Sequence, residues 1–113
     1  MKDLLYLSNI LESIEMIEDY LRDKSFSDLE KSTLLRDAVC KRIEEVGENM
    51  RKISPKLIKS NPQIEWQAFI ETRNFLTHVY QMVNLQKLWN ILKQDLLVLK
   101  KQIRDLIKQV EKK

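Results

Sequence analysis

Apolar residues recur every three or four positions along most of the chain, the period of helices that each bury one face. Leu4, Leu7, Leu11, Ile14, Ile17 and Leu21 make the first such stripe, with acidic residues opposite. It predicts a helix of about twenty residues that stops near Asp23-Lys24-Ser25. Ser27-Asp28-Leu29-Glu30 has the form of a capping box, in which the Ser hydroxyl and the Glu carboxylate each accept from the other's backbone N–H. A second helix is predicted from there, with Leu35, Val39, Ile43, Val46, Met50 and Ile53 inward and an end before Pro55. Gly47 falls inside it, at a cost of about 1 kcal/mol against Ala, which points to a close helix–helix approach.

Ser54-Pro55 and Asn61-Pro62 both read as a cap followed by a first-turn proline. A short helical turn is expected over 55–59, then a third main helix carrying Trp66, Phe69, Ile70 and Arg73. Asn84 suits the cap of a last helix, whose stripe Leu85, Leu88, Leu92, Leu96, Leu99, Ile103, Leu106 and Val110 runs about 26 residues, enough for its end to project or to form an interface. The expected fold is all-α: an up-down bundle of four main helices plus one short helix, as a single domain over residues 1–113.

Composition narrows the function classes. One Gly and two Pro in 113 residues argue against a turn-rich β-sandwich or barrel and exclude a Gly-rich phosphate loop. A single Cys cannot form an intramolecular disulfide, and a single His excludes a His-pair metal site built by one chain. No cofactor motif and no metal site is expected. The N-terminus has no apolar run of signal-peptide type and no segment suits a membrane span, so the default is a cytoplasmic protein with no membrane partner.

Charge is uneven along the chain. Residues 1–50 carry 7 basic and 12 acidic side chains, net −5; residues 51–113 carry 13 and 5, net +8, together the +3 of the whole. A basic half can attract nucleic acid, or it can be a solvated face balanced by an acidic neighbour. The same two readings apply to Lys100, Lys101, Arg104 and Lys108. Trp66, Phe69 and Trp89 are expected in the core or an interface, and Cys40 as a small buried hydrophobe. Glu44, Glu45 and Glu48 read as a solvated face rather than metal ligands.

One stretch combines residue types that do chemistry: Arg73-Asn74-Phe75-Leu76-Thr77-His78-Val79-Tyr80. On a straight helix Arg73 and Tyr80 lie roughly 20° apart, whereas His78 is roughly 140° from Arg73 and stacks above Asn74. Arg73 and His78 therefore meet only if the helix ends or distorts near His78, or if a second chain completes the site. Spacing alone favours His78 as a structural or exposed side chain, with Tyr80 as a packed phenol and Asn74 as a surface amide.

Arg73, Asn74, Leu76, His78, Tyr80 and Val83, followed by Trp89, resemble the Arg-x4-His-x-Tyr signature of HepT-like proteins in the HEPN superfamily. The chain departs at Asn84, where that family usually has Asp. Asp3–Leu7, Asp37-Ala38-Val39, Val46-Gly47-Glu48, Ser54-Pro55, Ile64 and Trp66 also resemble its consensus in order and spacing, so the likeness covers most of residues 3–100. The resemblance implies a metal-independent ribonuclease that acts on RNA as a homodimer. It also implies the toxin's part in a type VII toxin–antitoxin pair, silenced by a minimal nucleotidyltransferase antitoxin of the MntA type that transfers AMP to the motif tyrosine. Carried onto this chain, Arg73 and His78 are the catalytic residues, Asn74 supports them and Tyr80 is the AMPylated position. HEPN domains also include inactive members, so the alternative is a helical module that binds a nucleotidyltransferase without cutting RNA. The intact Arg73 and His78 favour the enzyme.

Overall fold

A computed structural model of the chain describes residues 2–76 and 82–112, with the backbone alone for Arg73, Asn74, Met82 and Val83. Its described residues are helical and contain no strand. The helices are α1 (Asp3–Tyr20), α2 (Phe26–Lys31), α3 (Thr33–Arg51), α4 (Pro55–Ser60), α5 (Trp66–Ile70), α6 (Thr72–Leu76), α7 (Met82–Asn90) and α8 (Leu96–Glu111), with a π-helical turn, Ile91–Asp95, between the last two. The all-α expectation holds, and several boundaries move.

α1 buries Leu7, Ile10, Ile14 and Ile17, with Leu21 just beyond its end. Ile10 takes the inward position assigned to Leu11 from the sequence, and Leu4 and Leu11 stand half-buried at the edge of the stripe. The chain turns at Asp23, whose φ of 61° is a left-handed conformation that Asp tolerates better than most side chains.

The capping box forms at Ser25, two residues before Ser27. The Ser25 hydroxyl accepts from the Asp28 N–H at 3.2 Å, and the Asp28 carboxylate accepts from the Ser25 N–H at 2.7 Å. The reversal at Asp23 delivers Ser25 in an extended conformation suited to a cap. Hydrogen bonds from the Ser25 backbone and side chain hold the Asp28 carboxyl below its usual range. Ser32, also extended, then interrupts the helix and caps α3 through its hydroxyl, 3.0 Å from the Leu35 N–H. The second helix expected from the pattern is thus two helices. Arg36 binds the severed end of α2, donating to the carbonyls of Leu29 (2.9 Å) and Glu30.

α3 is the central helix. Val39, Ile43, Val46 and Met50 are fully buried on it, and α1, α2, α5 and α6 all pack against it. Ser54 caps α4 by accepting from Leu57 N–H at 3.3 Å, with Pro55 in the first turn as expected. The same Ser54 donates through its N–H (2.9 Å) and hydroxyl (2.6 Å) to the buried carboxylate of Asp3, tying the start of α1 to the start of α4.

Asn61 is not a helix N-cap. It closes the C-terminus of α4, donating through Nδ2 to the Leu57 carbonyl at 3.0 Å. Its own carbonyl accepts from the Trp66 indole at 3.0 Å. This turn delays the next helix to Trp66. Nor is Asn84 a cap, because α7 is already helical from Met82.

α8 buries Leu96, Leu99, Ile103 and Leu106 against the bundle, and its polar side reaches α1. Lys100 pairs with Glu18 at 2.7 Å and Arg104 with Glu15 at 3.5 Å. For these two cations the balancing acidic neighbour exists. Trp89 is half-buried and meets Phe26 edge-on at a centroid distance of 5.9 Å. Among the described residues, no helix is long and apolar enough to cross a membrane.

Candidate functional site

The expected third main helix is broken. α5 ends at Ile70, Glu71 leaves helical geometry with a ψ of 0° while its N–H still donates to the Gln67 carbonyl at 3.0 Å, and α6 restarts at Thr72. The sequence Trp66–Leu76 contains neither Gly nor Pro, so no breaker residue accounts for the break. A tertiary cause is present. A Cβ on Gly47 of α3 would sit 2.7 Å from the carbonyl oxygen of Phe69 and 3.6 Å from the Ile70 Cα. The last turn of α5 thus lies directly on the backbone of α3, in space that any side chain at 47 would fill. The Phe69 carbonyl accepts a second contact there, from the buried Thr72 hydroxyl at 2.7 Å. The close approach expected at Gly47 is this one.

Arg73 and Asn74 are the second and third residues of α6, so the backbone of the motif's first half is placed. Their side chains, together with His78 and Tyr80, lie outside the described residues, as do the approach of Arg73 to His78 and the expected end or distortion of the helix there. What the described residues define is the platform that flanks the motif along the chain: the α5–α6 junction packed on α3 before it, and the start of α7 after it. Phe75 of α6 packs under Lys87 of α7, with Nζ 4.9 Å from the ring centroid.

Beside the platform, α5 and α6 face α7, the π turn and α8 across a groove of about 700 Å³. Phe69, Phe75, Ile91 and Leu99 supply apolar lining, and Glu65, Glu71 and Asp95 outnumber Lys87 on its described walls. The sequence gives no sign of this groove, because its walls come from segments distant in the chain and from a helix break with no local signal.

Three other sequence expectations are located. Trp66 and Phe69 are core residues, 5% and 7% exposed. Cys40 is half-buried against the core, and burial, reinforced by Asp37 and Glu44, raises its thiol pKa to about 11. Glu45 pairs with Lys41 at 3.3 Å and Glu48 with Arg51 at 3.8 Å on the outer face of α3.

The family model for HepT-like ribonucleases matches residues 10–106. The chain belongs to the HepT-like ribonuclease family. One relative of this HepT-like chain, from Methanocaldococcus jannaschii, carries the name "Gamma-glutamylcyclotransferase and putative RNase" and is 37% identical over 108 residues. The alignment covers 96% of the present chain and 49% of that relative, so the chain spans about half of the relative's length. A second, from Thermococcus cleftensis, is named "Probable ribonuclease HepT" and is 33% identical over 95 residues, covering 84% of the present chain and 86% of its own. No solved structure matches the chain.

Proposed function

We propose that this HepT-like protein is a metal-independent endoribonuclease acting as the toxin of a toxin–antitoxin pair. The observation that carries the reading is the family match over residues 10–106, which spans the whole Arg73–Tyr80 motif with Arg73 and His78 intact. RNA cleavage without a metal needs a base to take the proton of the 2′-hydroxyl, an acid to protonate the leaving 5′-oxygen, and a cation for the charge on the phosphorane between them. Histidine ordinarily titrates near neutral pH, so His78 can fill either proton role. Arg73 is permanently charged and can fork two phosphate oxygens. One chain has one His. A homodimer supplies two, which divide the acid and base roles across a shared cleft, with Asn74 orienting the imidazole.

Control falls to Tyr80. Attack of its phenolic oxygen on the α-phosphorus of ATP, catalysed by a minimal nucleotidyltransferase partner of the MntA type, forms a tyrosyl-AMP ester and releases pyrophosphate. The added phosphodiester charge competes with substrate phosphate for Arg73 and blocks the cleft.

The test is cleavage of an oligoribonucleotide by the full chain in EDTA. Arg73→Ala and His78→Ala are each expected to lose about 100-fold or more of the rate. Mixed dimers with one His78→Ala chain are expected to lose far more than half. Half activity in the mixture removes the shared site, and no cleavage by an unmodified wild-type chain removes the enzyme, leaving a helical binding module. Intact mass after incubation with ATP and the nucleotidyltransferase should rise in steps of one AMP, and Tyr80→Phe should abolish the rise.

A further inference from the structure

We propose that Gly47 and Thr72 are positioning residues for Arg73: together they seat the Phe69 carbonyl against α3, which ends α5 and fixes where and in which direction α6 begins. The role given to Arg73 rests on the ribonuclease reading above; the seat itself does not.

Three observations carry this. First, the helix break at Glu71 has no Gly or Pro to cause it, which leaves the contacts made at the junction to set it. Second, the packing in question is unusually close. The Phe69 oxygen lies 2.7 Å from the place of a Gly47 Cβ, a separation that real Cβ atoms do not adopt, so the contact exists only with glycine at 47. Third, the same oxygen takes the Thr72 hydroxyl at 2.7 Å, from a side chain 9% exposed. An oxygen pressed into α3 and held by the first residue of α6 couples the two helices at one atom.

α6 has five residues, too few to be helical unaided. Its order therefore derives from neighbours, and it packs on α3 as α5 does. Arg73 directly follows Thr72, so a shift of the seat is passed to Arg73 within one residue. A guanidinium that must meet a developing phosphorane is sensitive to such shifts, since misplacement by about 1 Å can cost about 100-fold in rate.

The experiment uses the full chain and an oligoribonucleotide substrate. Thr72→Val removes the hydroxyl and nearly keeps the shape; Thr72→Ser restores the donor. Expected is a fall in kcat of about 10- to 100-fold for Thr72→Val with KM within about 2-fold, and recovery in Thr72→Ser. In an Arg73→Ala background, Thr72→Val is expected to add almost nothing, because both changes remove the same interaction. Hydrogen exchange of the α6 amides is expected to quicken in Thr72→Val and in Gly47→Ala. Wild-type kcat in Thr72→Val, or losses that simply multiply in the double variant, overturns the positioning role. Unchanged exchange of α6 in Thr72→Val overturns the seat. An Arg73→Ala chain that cuts RNA at the wild-type rate overturns the ribonuclease role of Arg73 instead, and the exchange data still decide the seat. Thr72→Val keeps the proposal falsifiable if Gly47→Ala does not fold.

Discussion

At the scale of single residues, Cys40 shows how position sets reactivity. The thiolate is the nucleophile, and burial, with Asp37 and Glu44 nearby, holds the thiol pKa at about 11. At pH 8 the group is almost wholly protonated and shielded. Iodoacetamide should therefore modify the native chain about 10-fold or more slowly than the denatured one, read by mass spectrometry, and equal rates would refute this. The sequence pointed to Cys40 as a small buried hydrophobe, and the structure corrects this to a half-buried place beside the inward stripe of Val39 and Ile43. Gly47 was legible as a close approach, since a costly glycine inside a helix needs a steric reason. Its partner was not, because nothing local in Trp66–Leu76 signals that the Phe69 carbonyl is the atom that comes near. Arg73, Asn74, His78 and Tyr80 were legible only as a motif.

At the scale of helices, the sequence pattern located the stripes better than the ends. Ser25 and Ser27 each have an acid three positions on, and only the turn at Asp23 selects the first. Ser32 could as well have been an exposed mid-helix serine; the Arg36 contacts to the end of α2 make it a break. The last helix hides a different irregularity. Its apolar stripe is continuous, yet Ile91–Asp95 closes a π turn, with the Leu96 N–H bonded to the Ile91 carbonyl. A π turn holds one residue more than an α turn, so it absorbs an extra residue without rotating the helix beyond it. Deleting the exposed Lys93 should therefore convert the turn to α-helix and keep α8 in phase. Deleting Lys101 should rotate everything after it by about 100° and expose Ile103 and Leu106, at about 1.5–3 kcal/mol for each side chain. Thermal unfolding tests this: a Lys93 deletion as damaging as the Lys101 deletion would exclude the phase argument.

At the scale of the molecule, charge organises what the core alone leaves open. Hydrophobic burial fixes α1 and α8 side by side, and the acidic first half and basic second half then meet across that contact. The sequence showed the asymmetry but not which cations would be matched, since pairing depends on the rotation of α8 about its own axis. Lys100, 18% exposed at its side chain, and Arg104 turn toward α1. Such pairs contribute at most about 1 kcal/mol each to stability.

Their larger consequence concerns salt. When a cationic protein binds RNA, affinity falls with ionic strength in proportion to the number of condensed counterions its side chains displace. Lys100 and Arg104 already carry internal counterions in Glu18 and Glu15, so they are poor contributors to that release. Replacing Lys100 by Ala should leave the slope of log affinity against log salt for a single-stranded RNA unchanged, whereas loss of a phosphate-contacting lysine would lower it by about 0.7. In polyelectrolyte terms, the effective valence of this chain is smaller than its lysines and arginines suggest, because part of its ion atmosphere is built from its own carboxylates.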